Sequence, residues 1–152
     1  MTNKGYILML ESDEYDKELS SEYFKTSNIT YEFLKLSNEI IPFLKGQRQS
    51  GALPSIIILS MNSWPETGIS VLKEIKNLNE FKHIPVIILG EDTQPELIKQ
   101  CYANGANTFI NKPFTNALTD LSIKSFIQYW FEVAELPKET KTYSDLSISQ
   151  TK

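Results

Sequence analysis

An α/β fold built on a doubly wound parallel sheet is predicted by two observations. Two continuous apolar runs, 56–59 and 84–89, are bounded by turn residues, and such runs read as strands buried on both faces. Along the whole chain, five strand-like segments alternate with five segments of helical spacing. Alternation of that kind places helices on the faces of a parallel sheet. The 152 residues suffice for one domain with a full core.

The first strand, β1, is the apolar run 6–10, which ends in the acidic turn Glu11-Ser12-Asp13-Glu14. Tyr15, Leu19, Tyr23 and Phe24 then recur near helical spacing, so helix α1 is placed at about 13–25. Strand β2, 30–34, is rich in β-branched and aromatic residues. Helix α2 is placed at 38–44, where Pro42 fits only in a first turn. Residues 46–53 read as a polar connector. Strand β3, 56–59, stops abruptly at Ser60, and a polar loop leads to helix α3 at about 65–77. Strand β4 is the run 84–89, with Pro85 near its start. Thr93-Gln-Pro-Glu96 has the spacing of a capping box and opens helix α4, which runs to Asn104 and stops at Gly105. Strand β5 is 107–111, ended by Lys112-Pro113. A long helix, α5, starts near Thr115; Leu118, Leu121, Ile123, Phe126, Ile127, Trp130 and Phe131 form its broad apolar face, and Pro137 marks its end. Residues 1–137 are read as the domain and 138–152, rich in Ser, Thr and Lys, as a flexible tail.

Composition narrows the function. Net charge is -4, which argues against a nucleic-acid binder working through a basic face. No apolar run approaches the roughly 20 residues that span a bilayer, and the N-terminus lacks a signal-peptide pattern, so no membrane association is expected. The single cysteine, Cys101, excludes an internal disulfide and suits a reducing cytoplasm. In a doubly wound sheet, ligands bind where strand carboxyl ends meet helix amino ends. Ser60, Met61 and Asn62 fall there. A phosphate-cradling loop is absent after β1, where Glu11, Asp13 and Glu14 would repel an anion.

An acidic loop after β1, a polar residue ending β3 and a Lys-Pro ending β5 form a more specific constellation. The sequence resembles the receiver domain of two-component response regulators (the CheY-like, flavodoxin-like fold) over about residues 5–135, and in particular the stand-alone receivers associated with phytochrome-like histidine kinases. The motifs are Ile-Leu-Met-Leu-Glu-Ser-Asp at 7–13, Pro-Ser-Ile-Ile-Ile-Leu-Ser-Met-Asn at 54–62, Gly68, His-Ile-Pro-Val-Ile-Ile-Leu at 83–89 and Gly-Ala-Asn-Thr-Phe-Ile-Asn-Lys-Pro-Phe at 105–114. The resemblance implies a three-layer sandwich with sheet order 2-1-3-4-5, a cytoplasmic role in phosphorelay signal transduction, and a histidine kinase or phytochrome-like sensor as partner. It also implies a homodimer through the α4–β5–α5 region.

The resemblance breaks at the site itself. Where the family has the phosphoacceptor aspartate, this chain has Ser60; where two acidic residues hold Mg²⁺, it has Glu11 and Ser12; where a Thr or Ser ends β4, it has Gly90. Lys112, Phe109 and Asn62 match the family pattern. With Glu11 alone facing Lys112, the site is expected to be formally neutral and to lose most of its attraction for a dication, so no cofactor is expected. Glu11 and Asn62 are the residual candidates for metal contact. Lys112 is expected to form a salt bridge to Glu11, and Asp13 to act as a first-turn helix carboxylate rather than a metal ligand. A serine hydroxyl without a nearby base stays protonated, and the single histidine, His83, falls at the opposite end of the sheet. An enzyme using Ser60 as nucleophile is therefore disfavoured. The expectation is a pseudo-receiver acting by protein–protein binding; the alternative is a phosphotransfer-competent regulator with an unusual acceptor or metal arrangement. Phe109 is expected to rest in the space beside Gly90, and Trp64, Trp130 and Phe131 are the partner-binding candidates.

Overall fold

The computed structural model describes residues 5–112 and 116–137, with side chains throughout except at 116–120. The tail assigned to 138–152, Pro113 and the side chain of Leu118 lie outside the described residues. Five parallel strands form one sheet in the order β2-β1-β3-β4-β5. They are β1 Tyr6–Leu10, β2 Thr30–Leu34, β3 Ile56–Ser60, β4 Val86–Gly90 and β5 Thr108–Asn111.

Alternating side chains divide the core in two. Leu8, Leu10, Ile57, Leu59, Val86 and Ile88 meet α2 (Ile40–Gln49), α3 (Gly68–Asn77) and α4 (Pro95–Ala103) on one face. Ile7, Met9, Ile56, Ile58 and Ile87 meet Phe24 of α1 (Glu14–Thr26) and Ile127 of α5 (Asn116–Gln128) on the other. Apolar residues on both faces of β1, β3 and β4 explain their continuous hydrophobic runs.

Helix ends differ from the sequence expectations for local reasons. Helix α2 continues five residues past Leu44, through Gln49. Gly46 does not break it, and the chain turns only at Gly51, whose φ of +69° favours glycine. Helix α3 begins at Gly68 rather than near Pro65, because the Thr67 side chain accepts from Ser70 N–H and caps it. The capping box expected at Thr93 does not form; Gln94 is the cap residue and makes no side-chain cap bond. Helix α5 passes into a π-helical turn, Tyr129–Val133, closed by Ala134 N–H donating to Tyr129 O at 2.7 Å. Cys101 is fully buried on α4, and His83 is exposed in the turn before β4.

Candidate functional site

The carboxyl ends of β1, β3, β4 and β5 converge on one mouth. Strand pairing sets Leu10 beside Leu59, Ser60 beside Leu89, and Gly90 beside Asn111. Glu11, Ser60, Gly90 and Lys112 are the residues at or just beyond these ends, so the sequence-predicted set is brought together. Ser12 and Asn62 are exposed at its rim.

The loop after β3 is held from two sides. Met61 N–H donates to Leu89 O at 2.7 Å, and Gly68 N–H donates to Met61 O at 3.0 Å. A β-carbon on Gly68 would lie 2.6 Å from Ser60 O and 3.0 Å from Met61 Cα. Only glycine lets helix α3 approach this closely. From the other side, buried Ser37 accepts from Glu66 N–H at 2.7 Å through its hydroxyl and donates its own N–H to Trp64 O at 2.9 Å. Trp64, joined to Pro65 by a cis peptide bond, is 68% exposed. It does not line the mouth.

The charges are arranged differently from the sequence expectation. Lys112 does not pair with Glu11. Its amine bonds Asp16 Oδ1 on α1 and reaches Glu91 Oε1 at 3.4 Å. Burial draws the Lys112 amine down, but the hydrogen bonds and charges of Asp16 and then Glu91 outweigh it and hold its pKa above the ordinary lysine value. Asp13 caps α1, accepting from Asp16 N–H at 2.9 Å. Four carboxylates, Glu11, Asp13, Asp16 and Glu91, therefore line the mouth with one lysine, which reaches Asp16 and Glu91, and the expected formal neutrality is replaced by an acidic mouth. Glu11 is 8% exposed, and among the described residues its carboxylate accepts one hydrogen bond, a long one of 3.4 Å from Asp13 N–H to Oε2. Burial pushes its pKa up, only partly countered by that bond, and the charges of Asp16 and Asp13 push the same way. Asp16 was missed by sequence reasoning; it lies in the first turn of α1 and meets Lys112 across 96 residues of chain. Among the described residues, no three His, Cys, Asp or Glu side chains lie so as to hold a metal ion.

Beside the mouth, the Phe109 ring occupies the volume a side chain at position 90 would need. A β-carbon on Gly90 would lie 2.7 Å from Phe109 Cζ and would also meet the Thr93 hydroxyl. Tyr102 Oη accepts from Phe109 N–H at 3.0 Å and steadies this part of β5. Trp130 and Phe131 are half-buried and pack against the α1–α5 side of the core, with Trp130 edge-on to Tyr129 at 5.2 Å. The larger exposed apolar surface of that region comes from Leu121, Tyr129 and Val133.

Residues 7–123 match the family described as response regulator receiver domain. Response regulator Rcp1 of Synechocystis sp. is 29% identical over 137 residues, covering 86% of this chain and 92% of its own length. The crystal structure of the Mn(2+)-bound form of Rcp1 has a TM-score of 0.80 at 26% identity, covering 88% of this chain and 99% of that one. The phosphorylated cyanobacterial phytochrome response regulator RcpA shares the fold, with a TM-score of 0.82 at 24% identity over 90% of this chain and 100% of that one.

Proposed function

This chain belongs to the response regulator receiver domain family, and from that membership we propose that it is a pseudo-receiver: a cytoplasmic two-component signalling domain that binds a partner protein without being phosphorylated at the family's acceptor position. The observation that carries the reading is Ser60. It occupies the end of β3, at the centre of the mouth, where the family resemblance calls for a carboxylate. A carboxylate attacks a phosphoryl group without losing a proton first, whereas a hydroxyl needs a base. Among the described residues no hydrogen bond joins the Ser60 hydroxyl to a carboxylate of the mouth, and His83 precedes β4 at the far end of the sheet.

The donor set also suits a divalent cation poorly. Mg²⁺ favours carboxylates and waters in an octahedral shell. Of the carboxylates at the strand ends, Glu11 follows β1 and Glu91 follows β4; Ser12, Ser60 and Asn62 supply neutral oxygens, Asp13 caps α1, and Asp16 and Glu91 are taken up by Lys112. The Phe109 ring beside Gly90 supports a further part of the reading, a switch face held in one state irrespective of phosphorylation. The partner is a histidine kinase or phytochrome-like sensor, with a second copy meeting the chain through α4, β5 and α5, where Leu97, Tyr102 and Leu121 are exposed.

A second reading is favoured by one observation: Asp13, Asp16 and Glu91 line the same mouth as Ser60. A phosphotransfer-competent regulator could use one of them as acceptor or metal ligand. Incubation with Mg²⁺ and acetyl phosphate, followed by intact-mass measurement, separates the two. The pseudo-receiver gains no phosphoryl group. A gain mapped to Asp13, Asp16 or Glu91 would establish the second reading instead.

A further inference from the structure

Of the large apolar side chains described, Trp64 is the most exposed, and the turn that carries it is fixed. Ser37 N–H donates to Trp64 O at 2.9 Å and Ser37 Oγ accepts from Glu66 N–H at 2.7 Å, so the turn is tied to the segment after β2 on either side of Pro65. The buried Ser63 hydroxyl donates to Glu66 O at 2.7 Å, and Thr67 caps α3 directly afterwards. Binding to an indole presented in this way requires no ordering of its loop. Tryptophan is also among the side chains that carry most interface energy.

The surroundings of Trp64 are acidic. Glu66 lies two residues along the same turn, within about 7 Å of chain, and its carboxyl group bonds that of Glu74 on α3. Both are exposed. Burial, then the hydrogen bond and charge of Glu66, hold the Glu74 pKa above the ordinary carboxylate value. Glu39 adds a third carboxylate on the adjoining turn, where it accepts from Leu36 N–H at 2.8 Å. Among the described residues none of the three has an ion pair. Lys35 and Lys73 are exposed but pair with none of them, and the Lys76 amine is committed to backbone carbonyls.

A guanidinium answers both features at once. Its flat face stacks on an indole while its forked N–H groups meet carboxylates, which the compact ammonium of lysine cannot do together. We propose that this surface docks a segment of a partner protein through an arginine, stacked on Trp64 and paired with Glu66 and Glu74. A purely apolar segment would cover the indole and leave the carboxylates without a counter-charge. The proposal rests on the reading that the chain acts by binding a partner protein. It does not rest on the state of the mouth, which Trp64 does not line.

The test is a nuclear magnetic resonance titration of the full chain at neutral pH and constant ionic strength, without Mg²⁺. The probes are three peptides on one Gly-Ser frame, bearing a pair of arginines, of lysines or of neutral citrullines. The arginine peptide shifts the Trp64 indole N–H and the Glu66 amide saturably, with a dissociation constant at least about threefold below that of the lysine peptide. The citrulline peptide gives no saturable shift, and the Trp130 indole N–H stays in place. Trp64→Ala brings the arginine peptide to the lysine level, and Glu66→Gln combined with Glu74→Gln weakens both. A Trp64 indole that ignores the arginine peptide at high millimolar concentration would overturn the proposal. So would an equal response to citrulline, or shifts confined to Glu11, Asp13 and Glu91 at the mouth. A Trp64 signal that moves with protein concentration alone would assign the surface to a second copy presenting Arg48, the one arginine of the chain, and would overturn it as well. The three-peptide comparison needs no variant, so it decides even if one does not fold. Phosphoryl gain from acetyl phosphate would remove the pseudo-receiver reading and leave these outcomes untouched.

Discussion

Gly90 and Phe109 share one volume: a β-carbon on the glycine would lie 2.7 Å from Cζ of the phenylalanine one strand away. A residue with any side chain at position 90 must push the ring aside. Gly90→Thr is therefore expected to destabilise the fold by about 1–3 kcal/mol, the usual range for overpacking, as read by urea denaturation. The same variant moves the Phe109 ring resonances. A Gly90→Thr protein of unchanged stability and unchanged Phe109 shifts would contradict the close approach.

Lys112 and Asp16 connect β5 to α1, and both are partly open to solvent, at 35% and 21% exposure. Solvent screening keeps such a pair within about 0–1 kcal/mol. Lys112→Met should lower stability by that amount and leave partner binding intact, with a double-mutant cycle against Asp16→Asn giving a coupling of the same size. The lysine pKa is raised in the fold, so the contribution is complete below its ordinary value of 10.5 and disappears as pH rises through the folded value. Selective loss of partner binding by a fully folded Lys112→Met protein would show that the lysine acts in recognition.

Glu11 behaves in the opposite sense to most paired carboxylates. Its pKa is raised, so between its ordinary value of 4.5 and the raised one the folded chain holds a proton that the unfolded chain releases. Stability then falls as pH rises through this window. Glu11→Gln removes the dependence and should be more stable than wild type at neutral pH, while the two differ least below pH 4.5. Thermal melts of both proteins from acid to neutral pH measure this directly.

The Lys76 amine ties the turn ahead of β4, donating to Ile84 O at 2.7 Å and Lys82 O at 3.0 Å. Burial draws its pKa down. Lys76→Met keeps the stem and deletes both bonds, at an expected cost of about 1.5–3 kcal/mol, typical of bonds from a charged donor. Equilibrium denaturation would register it.

Leu121 is 60% exposed on α5 and Leu97 is 39% exposed on α4. If copies meet through this region, Leu121→Glu and Leu97→Glu each shift sedimentation from dimer towards monomer at equal concentration. A wild-type chain that sediments as a monomer at high concentration would remove the dimer.

The strands were legible because burial on both faces leaves uninterrupted apolar runs, and Ser60 marks the end of β3 as the sequence indicated. Helix ends were less legible. Residues 46–53 read as a polar connector, but Gly46 lies within α2, where the helix carries it despite its backbone entropy cost. Pro65 looked like a first helical residue, but the cap lies at Thr67. The charge pattern of the site was the least legible. Asp16 is one of several acidic residues on α1, and nothing local marks it as the one whose side chain crosses to Lys112.

The central claim, that this mouth no longer answers to a metal and a phosphoryl group, is tested most directly by nuclear magnetic resonance. The protein is titrated with Mg²⁺ and then beryllofluoride while the amides of Ser60, Asn62 and Lys112 are followed, with Ser60→Asp in parallel as the variant that restores a carboxylate. The account predicts no saturable shift for wild type at millimolar Mg²⁺, none on adding beryllofluoride, and a recovered response in Ser60→Asp. A saturable, Mg²⁺-dependent shift in the wild-type chain, strengthened by beryllofluoride, would contradict it.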